Sequence, residues 1–243
     1  MSWLGDVVAW LGDGANWSGP QGVLALLWQH VWLSLVALAV SAVLVVPLGL
    51  WLGHIGRGGA LALNTGNIGR AVPTFAILVL LVLAPAPFGN GTLSVVTALV
   101  LFAIPPILTN TYVGVREVDR SVVEAARGMG MSGRQVLRGV ELPLAAPLVV
   151  QGLRLAAVQI VATATIAALV GGGGLGRLIT QGYSRQDQPM LLSGAVLVAA
   201  LALLVEGAFE LLQRSVAPGA SRRPVDAEAQ VLAGPGATTG VAG

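Results

Sequence analysis

Cysteine and lysine are both absent from this 243-residue chain, and charge of either sign is scarce: 13 basic residues, all arginine, and 11 acidic ones. Without cysteine there is no disulfide, no thiolate metal site and no cysteine nucleophile. Charged side chains make up 10% of the chain, against about 25% in a soluble domain. That shortage excludes an ordinary soluble enzyme, a disordered chain and a coiled coil. No pair of histidines or carboxylates has metal-ligand spacing, so no metal is expected. What is abundant is apolar: 55% of the residues are hydrophobic and the mean hydropathy is +0.82. An all-α integral membrane protein is the class that fits. The pI near 9.9 reflects a net charge of only +2, and the arginines are scattered at helix ends, so no nucleic-acid partner is expected.

Charge-free runs locate the spans, since a helix needs about 20 apolar residues to cross the hydrocarbon core. The run from Asp13 to Arg57 holds one span, about Leu24 to Gly53. The run from Arg70 to Arg116 is too long for one helix and is broken by Pro85-Ala86-Pro87-Phe88-Gly89-Asn90-Gly91. It reads as a second span ending at Ala84, from about Ala71 or a little earlier, and a third from Thr92 to Val115. A fourth span starts near Leu144, contains Arg154 and ends before Arg177; a fifth runs from Pro189 to Leu212. The expectation is five membrane helices.

Arginine asymmetry orients them. Arg57, Arg70, Arg116, Arg120, Arg127, Arg134, Arg138, Arg214, Arg222 and Arg223 flank one side, and only Arg177 and Arg185 the other. The N-terminus is therefore expected outside a cell membrane and the C-terminus in the cytoplasm. All six tryptophans lie in the first 51 residues. Trp28 and Trp32 mark the outer end of the first span and Trp51 its inner end, about 35 Å away. Trp3, Trp10 and Trp17 suggest that residues 1–22 form an extracytoplasmic segment with a short amphipathic helix lying on the lipid surface. Residues 215–243, rich in Pro, Gly, Ala and Ser, are expected to be a disordered cytoplasmic tail. The transmembrane domain is 23–214.

The segment from Arg116 to Pro143 carries the most information. It is amphipathic and contains Glu124-Ala125-Ala126, three residues, Gly130, nine residues, then Val140-Glu141-Leu142-Pro143. Small Ala125 and Ala126 let another backbone approach, Gly130 permits a turn that a Cβ would hinder, and Pro143 suits the first turn of a following helix. A short helix, a turn and a second short helix leading into the fourth span are expected. This spacing resembles the EAA loop of ABC importer permeases, with Val140 in place of isoleucine. Ile104-Pro105-Pro106-Ile107-Leu108-Thr109-Asn110-Thr111-Tyr112, Val118-Asp119 and the run from Glu124 to Met131 are similar to the osmoprotectant branch of that family, which carries glycine betaine, carnitine, choline or proline betaine. Gly172-Gly173-Gly174-Leu175-Gly176, Gln29-His30 and Pro47-Leu48-Gly49 add to the likeness.

The resemblance implies the fold of a type I ABC importer permease and a transport subunit that is not itself an enzyme. Glu124, Ala125, Ala126, Gly128, Gly130, Leu142 and Pro143 would form the loop that docks on an ATP-binding cassette subunit. ATP and magnesium would be bound there, because Gly171 to Gly176 is followed by Arg177 and not by the Lys and Ser or Thr of a phosphate-binding loop. Five helices cannot enclose a pathway alone, so a second permease copy or a paralogue is implied, with an extracytoplasmic substrate-binding protein to deliver the solute.

Polar and aromatic positions within the spans read both as structure and as pathway. Phe75, Phe102 and Tyr112 offer soft contacts for a solute without net charge, and Asn110 reads equally as helix glue or pore lining. Gly172, Gly173 and Gly174 read as an outer gate or a contact with the binding protein, against a flexible helix end. Arg154 reads as snorkelling to the headgroups or as a helix contact, and Glu206 and Glu210 as partners for Arg154 or Arg214. His30 and His54 read as lone interfacial residues. Two rivals stand: the permease of an amino-acid importer of the methionine kind, and a secondary transporter or channel, which lacks the proton-relay residues it would need.

Overall fold

The computed structural model describes residues 3–60, 62, 64, 73–89 and 91–216. Of the expected tail, Ser215 and Val216 continue the last helix and 217–243 lie outside the described residues, as do Arg70 and Asn90. Among the described residues all regular structure is helical. The chain begins with α1 (Trp3–Gly12) and a 3-10 turn at Gly14–Trp17. It continues through α2 (Val23–Ile55), α3 (Thr74–Leu83), α4 (Gly91–Arg116), α5 (Arg120–Gly128) and α6 (Gly133–Val136). Then follow a π-helical turn (Leu137–Glu141), α7 (Leu142–Ala167), a 3-10 turn (Ala168–Val170), α8 (Gly176–Arg185) and α9 (Gln188–Val216).

Four stretches are long and apolar enough to cross a membrane: α2, α4, the continuous helical run Gly133–Val170, and α9. The fifth expected span appears at its place as α3, but only 10 residues of it are described as helix. At 1.5 Å per residue that is about 15 Å, half the hydrocarbon core.

Helix α4 is the centre of the bundle, packed between α2 and α7. Small residues make the close approach possible. Gly49 and Gly53, one turn apart on α2, leave no room for a Cβ: it would come within 2.8 Å of Thr111 and 2.7 Å of Val115. Gly152 on α7 faces Asn110 and the Pro106 carbonyl in the same way, with 2.9 Å left. This is the small-residue packing by which helices associate where lipid is as apolar as they are. Around it lies the main core, built from Leu78, Leu99, Phe102, Ile107 and Ile160 among others. A second cluster (Val23, Leu26, Leu175, Leu178 and Met190) ties α8 and α9 to the start of α2.

Trp10 and Trp17 pack against that second cluster, and the Trp17 indole N–H donates to the Leu11 carbonyl at 2.7 Å. The N-terminal helix therefore uses part of its aromatic face on protein, where a lipid-bound helix was expected. Its other face (Trp3, Leu4, Val8) stays exposed.

Arg154 makes a helix–helix contact. Its Nε donates to Glu206 on α9 at 2.8 Å, and Nη1 reaches Gln213 at 3.3 Å. Pairing neutralises a charge that is costly at bilayer depth. Glu210 pairs with Arg214 one turn on.

Candidate functional site

Two places break the regular helices, one at each end of the bundle. The first is the segment between α4 and α7. Asp119 caps α5 by accepting from the Ser121 N–H at 2.9 Å. Hydrogen bonds from Ser121, backbone first and hydroxyl second, hold the Asp119 carboxyl below the usual carboxylate range. Helix α5 ends in a turn where Gly130 takes φ +87°, a left-handed conformation that side chains other than glycine disfavour. Across that turn the Met131 N–H reaches back to the Ala126 carbonyl and the Gly130 N–H to that of Arg127. Ser132 then opens α6, its N–H donating to Gln135 Oε1 at 2.8 Å.

The segment has a small core of its own. Val118, Val123, Ala126 and Val136 are buried, with Met131 and Val140 packed against them. Ala126 is only 3% exposed, so it supports α5 from beneath and offers no surface for a partner backbone. The face left open is Val122, Glu124, Ala125, Gly128 and Met129, the last 77% exposed.

No separate helix start occurs at Pro143. The chain stays helical from Gly133 onward, through a five-residue π turn that ends two residues before the proline. There the Leu142 N–H bonds to the Leu137 carbonyl, a five-residue step. Pro143 has no N–H to continue the four-residue ladder. No loop separates α6 from α7. Leu142 is half-buried and Pro143 exposed.

A second link joins this segment to the bundle. Glu141 is 3% exposed and its carboxylate lies 2.5 Å from Nδ1 of His54 in the last turn of α2. His54 is also pressed by Gly133, where an added Cβ would meet Nε2 at 3.2 Å. The expected lone interfacial histidine is thus one half of a buried pair.

The other irregular place is the glycine run after α7. Gly174, at φ +90°, would bring a Cβ to 3.0 Å from His30 Nδ1, and Gly173 one to 2.5 Å from Gln29 Oε1. The backbone settles onto α2: the Gly174 N–H donates to Gln29 Oε1 at 3.2 Å and the Leu175 N–H to His30 Nδ1 at 3.3 Å. Because Nδ1 accepts, Nε2 carries the ring proton and donates to the Val161 carbonyl at 3.1 Å. His30 is fully buried, contrary to the interfacial reading, and it links α2, α7 and the glycine run. Gly172 and Gly174 are buried and Gly173 half-buried, so these glycines form a packing joint before they offer a surface to a partner.

This combination matches a described family: residues 45–218, more than half of the chain, fit the "binding-protein-dependent transport system inner membrane component". The chain belongs to that family. It is a multi-pass permease of the inner membrane, not an enzyme. It is 38% identical to a carnitine transport permease of Listeria monocytogenes, over 80% of this chain and 88% of that one. It is 33% identical to a glycine betaine/carnitine/choline transport permease of Bacillus subtilis, over 78% and 86%. Among solved structures it is similar to an inward-facing methionine ABC transporter, with a TM-score of 0.68 and 26% identity over 78% of this chain and 93% of that one. The permease fold is thus that of a type I ABC importer.

Within this fold the expected pathway residues have different surroundings. Phe75 is 46% exposed on α3, whereas Phe102 is 3% exposed. Phe102 sits in the core because α4 is covered on both sides, so here it packs the bundle. Asn110 donates to the Pro106 carbonyl at 2.8 Å and lies against Gly152, which makes it part of the α4–α7 contact. Tyr112 is half-buried, its hydroxyl 2.7 Å from where a Cβ on Gly59 would sit. The His54–Glu141 pair and the role of His30 escaped the sequence reading. The one signal in the sequence was the resemblance noted for Gln29-His30.

Proposed function

We propose that this permease carries quaternary-ammonium osmoprotectants, such as glycine betaine, carnitine, choline or proline betaine, in an ABC importer with N-terminus outside and C-terminus in the cytoplasm. Its relatives bear carnitine, glycine betaine and choline in their names at 33–38% identity. The observation that carries the coupling role is the open face of α5, held at a set angle by the left-handed Gly130 turn and backed by its own core.

In this reading Val122, Glu124, Ala125, Gly128 and Met129 dock on an ATPase subunit, which binds ATP and magnesium. A second permease copy or a paralogue completes the pathway, and an external binding protein supplies the solute. ATPase closure pushes on α5, and the push has two outlets. The helix from Gly133 to Val170 carries it into α7, and the His54–Glu141 pair carries it into α2. A quaternary ammonium donates no hydrogen bond and is held by aromatic faces; tight selection belongs to the binding protein.

The amino-acid reading rests on the fold likeness to the methionine transporter. Competition for uptake by the reconstituted complex separates the two. Betaine, choline or carnitine should compete and methionine should not. Uptake blocked by methionine and indifferent to the other three would overturn the osmoprotectant assignment.

A further inference from the structure

A half-open groove lies between the last turns of α2 and the start of the long helix after the Gly130 turn, with His54, the partner of Glu141, also in its lining. Trp51, Ile55 and Leu137 form its apolar wall, and Ser132, Arg134 and Arg138 its polar rim. We propose that this groove holds the phosphate headgroup of an anionic membrane lipid.

Charge is the first ground. Arg134 and Arg138 stand one helical turn apart and both are exposed. Among the described residues neither takes part in a salt bridge or side-chain hydrogen bond. The acidic residue closest in sequence, Glu141, is buried and turned to His54. Two guanidinium forks at this spacing suit phosphate oxygens, which accept paired N–H donors. The tendency of arginine to stay on the cytoplasmic side explains which end of the bundle they occupy. It does not explain why two of them overhang an apolar slot.

Depth is the second ground. Trp51 is 56% exposed, as are Trp28 (68%) and Trp32 (56%) toward the other end of the same helix. Their separation of about 35 Å puts the groove at headgroup level when α2 spans a bilayer.

Shape is the third. Leu44, Leu48, Trp51 and Ile55 are all exposed. Their spacing of four, three and four residues keeps them on one face of α2. This apolar stripe runs from mid-membrane into the groove, where it can carry an acyl chain while the arginines hold the phosphate. A soluble anion would use the rim and leave the stripe bare. Basic pockets beside membrane helices on the cytoplasmic side are known to suit anionic headgroups.

The test uses full-length protein, purified in neutral detergent with the subunits that accompany it. Native mass spectrometry counts phosphatidylglycerol retained per permease, with phosphatidylcholine as the neutral comparison. The wild type should hold phosphatidylglycerol in preference to phosphatidylcholine. The double variant Arg134→Gln/Arg138→Gln should lose retention roughly tenfold. The charge-matched control Arg120→Gln/Arg127→Gln on α5 should retain it. Ile55→Glu, which places an acid on the apolar wall, should lose it as well. Equal retention by the Arg134/Arg138 variant would overturn the proposal. So would equal loss in the control, which would mean net charge alone, or displacement of the lipid by millimolar inorganic phosphate, which would mean a soluble anion. Absence of retained lipid in the wild type, with a second permease copy covering the stripe, would also overturn it.

Discussion

The two irregular ends of this permease use glycine for opposite reasons. Gly130, in the segment between α4 and α7, has a left-handed backbone and nothing within 4 Å of where a Cβ would be. Gly173, in the run after α7, has ordinary backbone but a Cβ would strike Gln29 at 2.5 Å. One glycine sets an angle in open space; the other lets the run after α7 settle on α2. Gly174 combines both demands, at φ +90° with His30 against it. An exposed turn can change function without unfolding the protein, whereas a crowded joint fails through packing.

Substitutions separate the two cases, and the largest loss of stability should come from the crowded joint. Gly174→Val adds backbone strain to a clash with His30, and should cost about 3 kcal/mol or more. Thermal unfolding in detergent should show it as a large drop in Tm, or as failure to accumulate in the membrane. A Tm near wild type would mean that the α2 contact is soft.

Next is the buried pair at the other end. His54→Ala leaves the Glu141 carboxylate buried without its partner, a change that costs about 3 kcal/mol in a dry site. His54 keeps 17% of its side chain exposed, so water relieves part of this and about 2 kcal/mol is expected. Glu141→Gln in the same background should recover most of the loss, because the charge that lacked a partner is gone. If the double variant is no more stable than His54→Ala, the pair is not a coupled unit.

Smaller again is the α5 cap. Asp119→Ala removes the acceptor for the Ser121 N–H and should lower Tm by less than either change above. Its depressed carboxyl range gives a sign: the cap's contribution is present above the ordinary Asp range and is lost as pH falls through the folded value. Asp119→Asn, which can still cap, should be near neutral. A stability loss from Asn as large as that from Ala would show that charge matters more than the hydrogen bond.

How much of this was legible in sequence follows the same division. Charge-free runs placed four of the spans to within a few residues, because lipid tolerates little charge. The turn at Gly130 was legible because its cause is local: one residue without a Cβ. The inward face of α5 was harder. Ala125 and Ala126 look alike in a motif, yet only Ala126 falls on the side of Val123, three residues before it. The helix period decides between them. The His54–Glu141 pair joins residues 87 apart and the His30–Leu175 bond residues 145 apart. No local pattern encodes such a meeting, since each histidine alone looks like a polar residue at a helix end. The π turn is not legible in the sequence either, because Pro143 reads as a helix start.

A modest cost in stability should accompany the largest loss of function, at Gly130. Gly130→Leu meets open space and strains only its own backbone, by roughly 1–2 kcal/mol. It also turns the open face of α5 away from the angle at which an ATPase subunit would meet it. The decisive measurement is the number of solute molecules taken up per ATP hydrolysed by the reconstituted complex, wild type against Gly130→Leu, with Tm recorded on the same preparations. The expected result is a Tm within a few degrees of wild type and a coupling ratio reduced at least tenfold. An unchanged coupling ratio in a protein that is folded and carries the variant would contradict the coupling role assigned to this segment.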